Sequence, residues 1–418
     1  MNKPNLLYLT PITPDPGSVG LAIRAYHNLL ALSSTYSIYL LVIPTFVRDL
    51  PLHPSLIALC ERIIRLPLHP IKDCFLFLRL VLAKYRIPFL FCSPSLPMEM
   101  NTLSLRRIKA AARIYEGISF EVIHVFRLYM YPYARCFHTE NRHCVFQLDL
   151  DDIESLTRRD FRNLFLINKK KVMARQMEKE AKKYETLERN WLAHFDRIFV
   201  SSTSDRERII QRYGCNWVEV VPNIVRVNET RREGKGSRPF TFVFIGNFLY
   251  YPNLDGLTFF CQRILPIIRN RVSTAFTVKV VGRGIPWKLT EQLSVMKEVD
   301  IAGPLRDTES CYREADAAIV PIRAGGGTRI KALEAIAYRL PVISTTKGME
   351  GLDFYNQIHV LLGDTPSSFA EHCCQVMTRP GLRQQLVEKA FSRLHELYTL
   401  DRVRQVLCGN PHAFTQRL

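Results

Sequence analysis

Three consecutive glycines followed by two cations and an acid are the residues whose types and spacing best suit chemistry. They lie in Ile319-Val-Pro-Ile-Arg-Ala-Gly325-Gly326-Gly327-Thr328-Arg329-Ile-Lys331-Ala-Leu-Glu334-Ala335. The apolar run to Pro321 reads as a buried strand, and a helix is expected to begin near Thr328. Glycines between the two let the backbone approach a ligand closely, with unpaired N–H groups and the positive helix end aimed at it. A diphosphate is the guest such a turn suits. Arg329 and Lys331 fall in the first helical turn and add two cationic contacts, while Glu334 is spaced to accept hydrogen bonds from ribose hydroxyls. Cations placed there help a reaction whose leaving group gains negative charge as its bond breaks. A strand-to-helix turn kept for packing alone is the plainer alternative.

Other signals are weaker. His124 is expected at a strand end, where a packed, satisfied histidine is the commoner occupant. Gly17 and Gly20 lie in the first strand-to-helix loop, Asp15-Pro-Gly17-Ser-Val-Gly20, which suits donor or acceptor binding but lacks the GxGxxG pattern. Asp149-Leu-Asp151-Asp152 has a spacing that can hold a divalent ion bridging a diphosphate. Acceptor binding, or a helix N-cap by Asp151 or Asp152, is preferred to that metal reading.

Such residues need strand ends and helix starts to hold them. Short apolar runs at 5–10, 37–44, 122–126, 144–150 and 197–202 read as strands, and 158–195 as a helical region without Pro or Gly. The polar stretch 227–239 reads as a linker. Beyond it, strands are expected at 241–245, 276–281, 299–302, 317–322, 342–345 and near 359–362. Helices are expected at 254–268, 307–314 and 328–338, and after Pro366. This alternation gives an α/β fold: two Rossmann-like, doubly wound parallel-sheet domains, 1–226 and 240–397, facing a central cleft.

Fifty-seven Lys and Arg against 39 Asp and Glu leave this chain of 418 residues a net charge of +18. That favours anionic partners: a nucleotide diphosphate, an anionic membrane surface, or nucleic acid. For nucleic acid there is no zinc spacing, helix-turn-helix signal or aromatic-basic RNA motif, so no specific nucleic-acid partner is expected. The densest basic run, Lys169-Lys170-Lys171 to Lys182-Lys183, is interleaved with Glu178, Glu180 and Glu185 and reads as a solvated helix face. The 11 cysteines are scattered, and Cys373-Cys374 cannot chelate as a spaced pair, so no metal site and reduced thiols are expected. Asn2, Lys3 and Pro4 lead straight into the first strand, so no secretory signal is read and a cytoplasmic location follows. The apolar stretch 74–92 contains Arg79, Lys84, Arg86 and Pro88, which fits a buried helix with snorkelling basic residues better than a span; a membrane-surface patch stays open.

Around the glycine segment stand, in order, Val221-Pro-Asn223, Phe244-Ile-Gly246-Asn247, Val280-Val-Gly-Arg283-Gly284, Ile301-Ala-Gly-Pro304, Ala315-Asp-Ala-Ala-Ile-Val-Pro321, Leu340-Pro-Val-Ile-Ser344 and Gly348-Met-Glu-Gly351. With these, residues 215–352 resemble the retaining glycosyltransferases of the GT-B fold, family four. Thr13-Pro-Asp-Pro-Gly17, Ile23-Arg-Ala-Tyr-His27, Glu121-Val-Ile-His124, Leu148-Asp-Leu-Asp-Asp152 and Phe195-Asp-Arg-Ile-Phe-Val-Ser201 look like a subgroup of bacterial sugar transferases that build polysaccharides or lipid-linked glycans.

The resemblance implies hexosyl transfer, with retained configuration, from a nucleotide-sugar to a glycan, lipid-linked or polysaccharide acceptor. It implies no metal and no cofactor besides the donor, a donor on the C-terminal domain, an acceptor on the N-terminal one, and a helix at about 398–418 crossing back to the first domain. A site at the inner face of the cell membrane, with peripheral contact to anionic lipid, is a further expectation left open beside the cytoplasmic one. Carried onto this chain, His124, Arg329 and Lys331 are catalytic, His124 by positioning or by hydrogen bonding a sugar hydroxyl rather than as a base. Gly17, Gly20, Gly246, Asn247, Arg283, Gly325, Gly326, Gly327, Thr328 and Glu334 bind the donor.

Two departures stand out. The family has two glutamates separated by seven residues; Glu334 matches the second, and Gly326 stands at the first. The family's Arg and Lys after the strand ending at Gly246 are replaced by Asn247-Phe-Leu-Tyr-Tyr-Pro-Asn253, so Arg329, Lys331 and Arg283 are expected to supply the diphosphate charge. A non-catalytic nucleotide-sugar-binding member and a dinucleotide-dependent oxidoreductase are the alternatives; the second lacks GxGxxG with an acid about 20 positions later.

Overall fold

Short runs rich in Val, Ile, Leu and Phe, each ended by Gly, Pro, Asp or Ser, form the strands of two parallel sheets. In this computed structural model residues 3–17, 19–45, 51–67, 96–103, 105–137, 144–227, 239–305 and 308–409 are described. The apolar stretch 74–92, nearly all of the linker 227–239, and residues 410–418 lie outside them. Contacts divide the chain into two units, Met1–Pro222 with Leu400–Leu418, and Asn223–Thr399. Among the described residues no helix is long and apolar enough to cross a membrane.

The first unit has seven parallel strands: β1 (Asn5–Thr10), β2 (Ser37–Val42), β3 (Arg62–Arg65), β4 (Val122–Phe126), β5 (Val145–Asp151), β6 (Arg197–Val200) and β7 (Val218–Val220), in the order β3-β2-β1-β4-β5-β6-β7. The edge strands β3 and β7 are additions to the sequence expectation. Arg62-Ile-Ile-Arg65 and Val218-Glu-Val220 are short and charged, as strands at an unpaired edge tend to be. Register aligns Tyr8 with His124 and His124 with Gln147 across three neighbouring strands.

Helix α1 (Gly20–Leu32) follows β1. The helical region expected as one piece is an antiparallel hairpin, α2 (Glu154–Ile167) and α3 (Lys171–Trp191). It breaks without glycine because Lys169 takes the left-handed conformation, φ 58°. Its N–H donates to Leu166 O at 3.0 Å and that of Lys170 to Phe165 O at 2.7 Å, closing the helix end.

The second unit has six parallel strands: β8 (Phe240–Ile245), β9 (Phe276–Val281), β10 (Val299–Gly303), β11 (Ala317–Val320), β12 (Val342–Ser344) and β13 (Leu361–Leu362), in the order β10-β9-β8-β11-β12-β13. Their apolar side chains, Phe242, Phe244, Val278, Val280, Ile319 and Ile343 among them, pack one core with the helices. Among these helices are α4 (Tyr251–Phe259), α5 (Glu309–Glu314), α6 (Ile330–Ala337), α7 (Pro366–Thr378) and α8 (Pro380–Leu397). Strand order reverses between β8 and β11, so the loops leaving their carboxyl ends run apart and open a crevice. The final helix, α9 (Leu400–Leu407), packs on α1 of the first unit, where the buried Arg197 donates to Val406 O at 2.7 Å.

Candidate functional site

The glycine segment leaves β11 at that reversal point. Gly325 and Gly327 have φ of 109° and 67°, a conformation that favours glycine, and a Cβ on Gly325 would stand 2.5 Å from Tyr250 Oη and displace that ring. The helix starts at Ile330, not near Thr328, with Arg329 as its cap residue in extended backbone and no side-chain cap bond.

Arg329 itself departs from expectation. Its side chain is 8% exposed and folds back on the loop. Nη2 donates to Gly325 O at 2.9 Å, Nη1 donates to Gly327 O at 2.7 Å, and Nη1 also donates to Gly326 O. The guanidinium therefore closes the turn on its own carbonyls, which otherwise lack helical partners, and is not presented as a free cation.

Lys331 does reach the crevice wall formed by β8. Its ammonium donates to Asn253 Oδ1 at 2.6 Å, lies 5.2 Å from the Phe244 ring centroid, and stands 3.2 Å from where a Cβ on Gly246 would be. Any side chain at 246 would thus crowd it. Asn253 is oriented in turn by donating its Nδ2 to Asn247 O at 2.8 Å. Burial, helped by the charge of Arg329, pulls the Lys331 pKa from 10.5 down to about 7.

Glu334 accepts from Tyr312 Oη of α5 at 2.9 Å; burial raises its pKa, against the opposing pull of that hydrogen bond and of Lys331. Thr328 Oγ1 accepts from Asn223 Nδ2 at 2.5 Å. Arg283 is exposed in the loop after β9, and its carbonyl accepts from Phe248 N at 2.8 Å. The structure so gathers Gly246, Asn247, Gly325, Gly326, Gly327, Thr328, Arg329, Lys331 and Glu334 at one end of the second sheet, with Arg283 on the neighbouring loop. Asn253, Tyr250 and Tyr312 join them unannounced, because their parts depend on tertiary contacts that sequence spacing does not carry.

The first unit holds the remaining candidates. Gly17 and Gly20 are exposed just before and at the start of α1; Gly17 N donates to Asp15 Oδ1 at 2.9 Å. His124 lies in the middle of β4 rather than at a strand end, fully buried between Tyr8 and Phe199, with ring centroids at 4.8 and 5.9 Å. Its Nδ1 donates to Gln147 Oε1 at 3.2 Å, and burial lowers its pKa to about 4. Both ring faces are thus stacked on aromatic side chains.

The aspartates at the end of β5 are absorbed by arginines. Asp149 accepts from Arg24 Nε and Nη2, both at 3.0 Å, and from Asn28 Nδ2 at 2.5 Å. Arg127, with φ 77°, pairs with Asp151, Asp152 and Glu154 at 3.3–3.6 Å. Neither Asp151 nor Asp152 caps the next helix, whose cap position is Ile153. Among the described residues no group of three His, Cys, Asp or Glu side chains is arranged to hold a metal ion.

Residues 239–379, which contain all six described strands of the second unit's sheet, match the family described as glycosyl transferases group 1. A curated relative, the uncharacterized 44.6 kDa protein in the cps region of Klebsiella pneumoniae, is 23% identical over 167 residues, covering 38% of this chain and 43% of the relative. The match thus spans less than half of that relative's length. Among solved structures, sucrose-phosphate synthase from Thermosynechococcus elongatus superposes with a TM-score of 0.66 at 14% identity over 97% of each chain. Anabaena HepE in complex with UDP-glucose gives 0.61 at 11% identity over 96% of this chain and 98% of that one. At these identities the likeness is one of fold: two parallel-sheet α/β domains of the GT-B type.

Proposed function

We propose that this chain is a glycosyltransferase that takes a hexose from a nucleotide-sugar and passes it, with retained configuration and without a metal, to a glycan, lipid-linked or polysaccharide acceptor. The observation that carries the reading is the meeting of Lys331, Gly246 and the Gly325–Gly327 turn at the reversal point of the second sheet. The diphosphate of the donor would lie against the turn and the start of α6, with Lys331 beside it. Its departure builds negative charge on the β-phosphate, and an ammonium held by Asn253 stabilises that charge without having to reorganise. Tyr312 orients Glu334 toward the ribose, and Arg329 keeps the turn in shape. The acceptor side falls to the first unit, by family resemblance. The group 1 match of residues 239–379 supports the reading, as does the binding of UDP-glucose by a protein of the same fold.

Titration calorimetry with a panel of UDP-, GDP- and ADP-sugars, followed by assay of nucleotide release with candidate acceptors, tests it. Binding of one donor and release of its nucleoside diphosphate are expected, and Lys331→Ala should lower transfer roughly ten- to thousand-fold. Failure of every donor to bind would overturn the proposal. Binding without transfer would favour a donor-binding protein, for which Gly326 in place of the family's first glutamate supplies a reason. The anomeric configuration of the product, read by NMR, decides retention.

A further inference from the structure

The tip of the α2–α3 hairpin takes no part in that chemistry, yet exposed aliphatic and basic side chains meet there. From Phe161 to Met177 there is no acidic residue, while Arg162, Lys169, Lys170, Lys171 and Arg175 are all basic. Three large aliphatic side chains stand out among these charges: Leu166, Ile167 and Val172, at 46%, 62% and 63% exposure. Lys169, Lys171 and Arg175 are exposed beside them.

The base of the hairpin is firmly held. Ser155 Oγ donates to Glu188 Oε2 at 2.5 Å, Arg159 pairs with Glu185 at 2.5 Å, and Tyr184 Oη donates to Glu99 at 2.5 Å. Further along, Arg162 pairs with Glu178 at 3.5 Å. From Arg162 the helix runs on about 8 Å, at ~1.5 Å per residue, to Ile167. The turn itself adds a second observation. Lys169 occupies the left-handed position of the helix end, where glycine fits at no steric cost, so a charged side chain is kept where the backbone would be better off without one.

We propose that this tip docks on an anionic lipid bilayer, with Leu166, Ile167 and Val172 entering the headgroup boundary and Lys169, Lys171 and Arg175 facing lipid phosphates. Aliphatic wedges ringed by lysine and arginine are what an interfacial anchor requires. The other occupants fit less well. A second copy of the tip would bring like charges together, and a single-stranded nucleic acid would need aromatic platforms that the exposed tip residues do not supply. The proposal stands apart from the transferase reading, since the docking needs no donor.

Co-sedimentation with vesicles of equal parts phosphatidylglycerol and phosphatidylcholine, against vesicles of phosphatidylcholine alone, tests it. The full chain should partition onto the anionic vesicles only. Each basic residue removed should weaken partition roughly five-fold, so Lys169→Gly with Lys171→Gln and Arg175→Gln should lose on the order of a hundred-fold. Ile167→Ser with Val172→Ser should also release the protein. Lys169→Gly alone should leave the melting temperature unchanged or higher, because glycine relieves the left-handed backbone, while still weakening partition; a merely structural role for Lys169 predicts no change in partition. Equal partition onto both vesicle types, variants that bind like the parent chain, or a tip-dependent self-association in gel filtration would overturn the proposal.

Discussion

The Lys331 ammonium donates to Asn253 Oδ1 at 2.6 Å, at the carboxyl end of β8. Burial draws its pKa to about 7, so near neutrality much of it is uncharged unless an anion lies beside it. A diphosphate beside it favours the protonated form, and donor binding should therefore take up a proton. Affinity for the donor's nucleoside diphosphate is expected to be flat below pH about 7 and to fall by up to tenfold per pH unit above it, until the pKa of the bound state is reached. Calorimetry in buffers of different ionisation heat should register the uptake. Lys331→Met should abolish both the uptake and the slope.

Arg329 and Lys331 lie two residues apart but should fail in different ways. The Arg329 guanidinium donates to the carbonyls of Gly325, Gly326 and Gly327, so Arg329→Ala strands buried acceptors and should cost about 1–3 kcal/mol of stability as well as donor affinity. Arg329→Lys should recover little, since an ammonium cannot fork across three carbonyls. Lys331→Ala should lose affinity while keeping its melting temperature at pH 8, where the ammonium is largely neutral already. Urea denaturation beside donor titration separates the two; equal loss of stability in both variants would contradict the assignment.

Gly325→Ala tests the turn directly. The residue sits at φ 109°, and its new Cβ would stand 2.5 Å from Tyr250 Oη. A loss of about 1–3 kcal/mol is expected from the backbone alone. Removing the ring's reach with Tyr250→Ala should restore only part of it, because the backbone conformation remains. Thermal denaturation of the single and double variants measures the share of each.

What could be read from the residues, and what could not, divides along physical lines. Three glycines between an apolar run and a helix declare a close backbone approach by composition alone, and the parallel α/β alternation follows from periodicity. Arg329 could not be placed this way, because whether a guanidinium points outward or folds back depends on carbonyls that the turn exposes only once formed. His124 is a related case: its stacking partners Tyr8 and Phe199 come from other strands, fixed by register rather than by its neighbours in sequence. The break at Lys169 carried no glycine or proline to announce it. Asn253 and Tyr312 act on Lys331 and Glu334 from positions 78 and 22 residues away, and only the folded sheet brings them close.

The acidic cluster of the first unit should make that unit's stability depend on pH in a definite sense. Burial is the first cause at both Asp151 and Glu154, and together with their acidic neighbours it outweighs the arginines beside them, raising each carboxyl to about 7. Between the ordinary carboxylate range and that value the folded state holds protons that the unfolded chain has released. Stability is then fully present below pH about 4 and is lost as pH rises through about 7, at up to ~1.4 kcal/mol per pH unit for each proton involved. Lys331 has the opposite sign, since a lowered ammonium pKa adds stability as pH rises between about 7 and 10.5, so a whole-chain melting curve would mix the two. Hydrogen exchange of β4 and β5 amides in mild urea, followed from pH 5 to 8 with rates corrected for intrinsic exchange, isolates the first unit. Protection should fall across that range in the parent chain, and Asp151→Asn with Glu154→Gln should flatten the dependence, because neither amide titrates; an unchanged slope in the double variant would mean that other groups carry it.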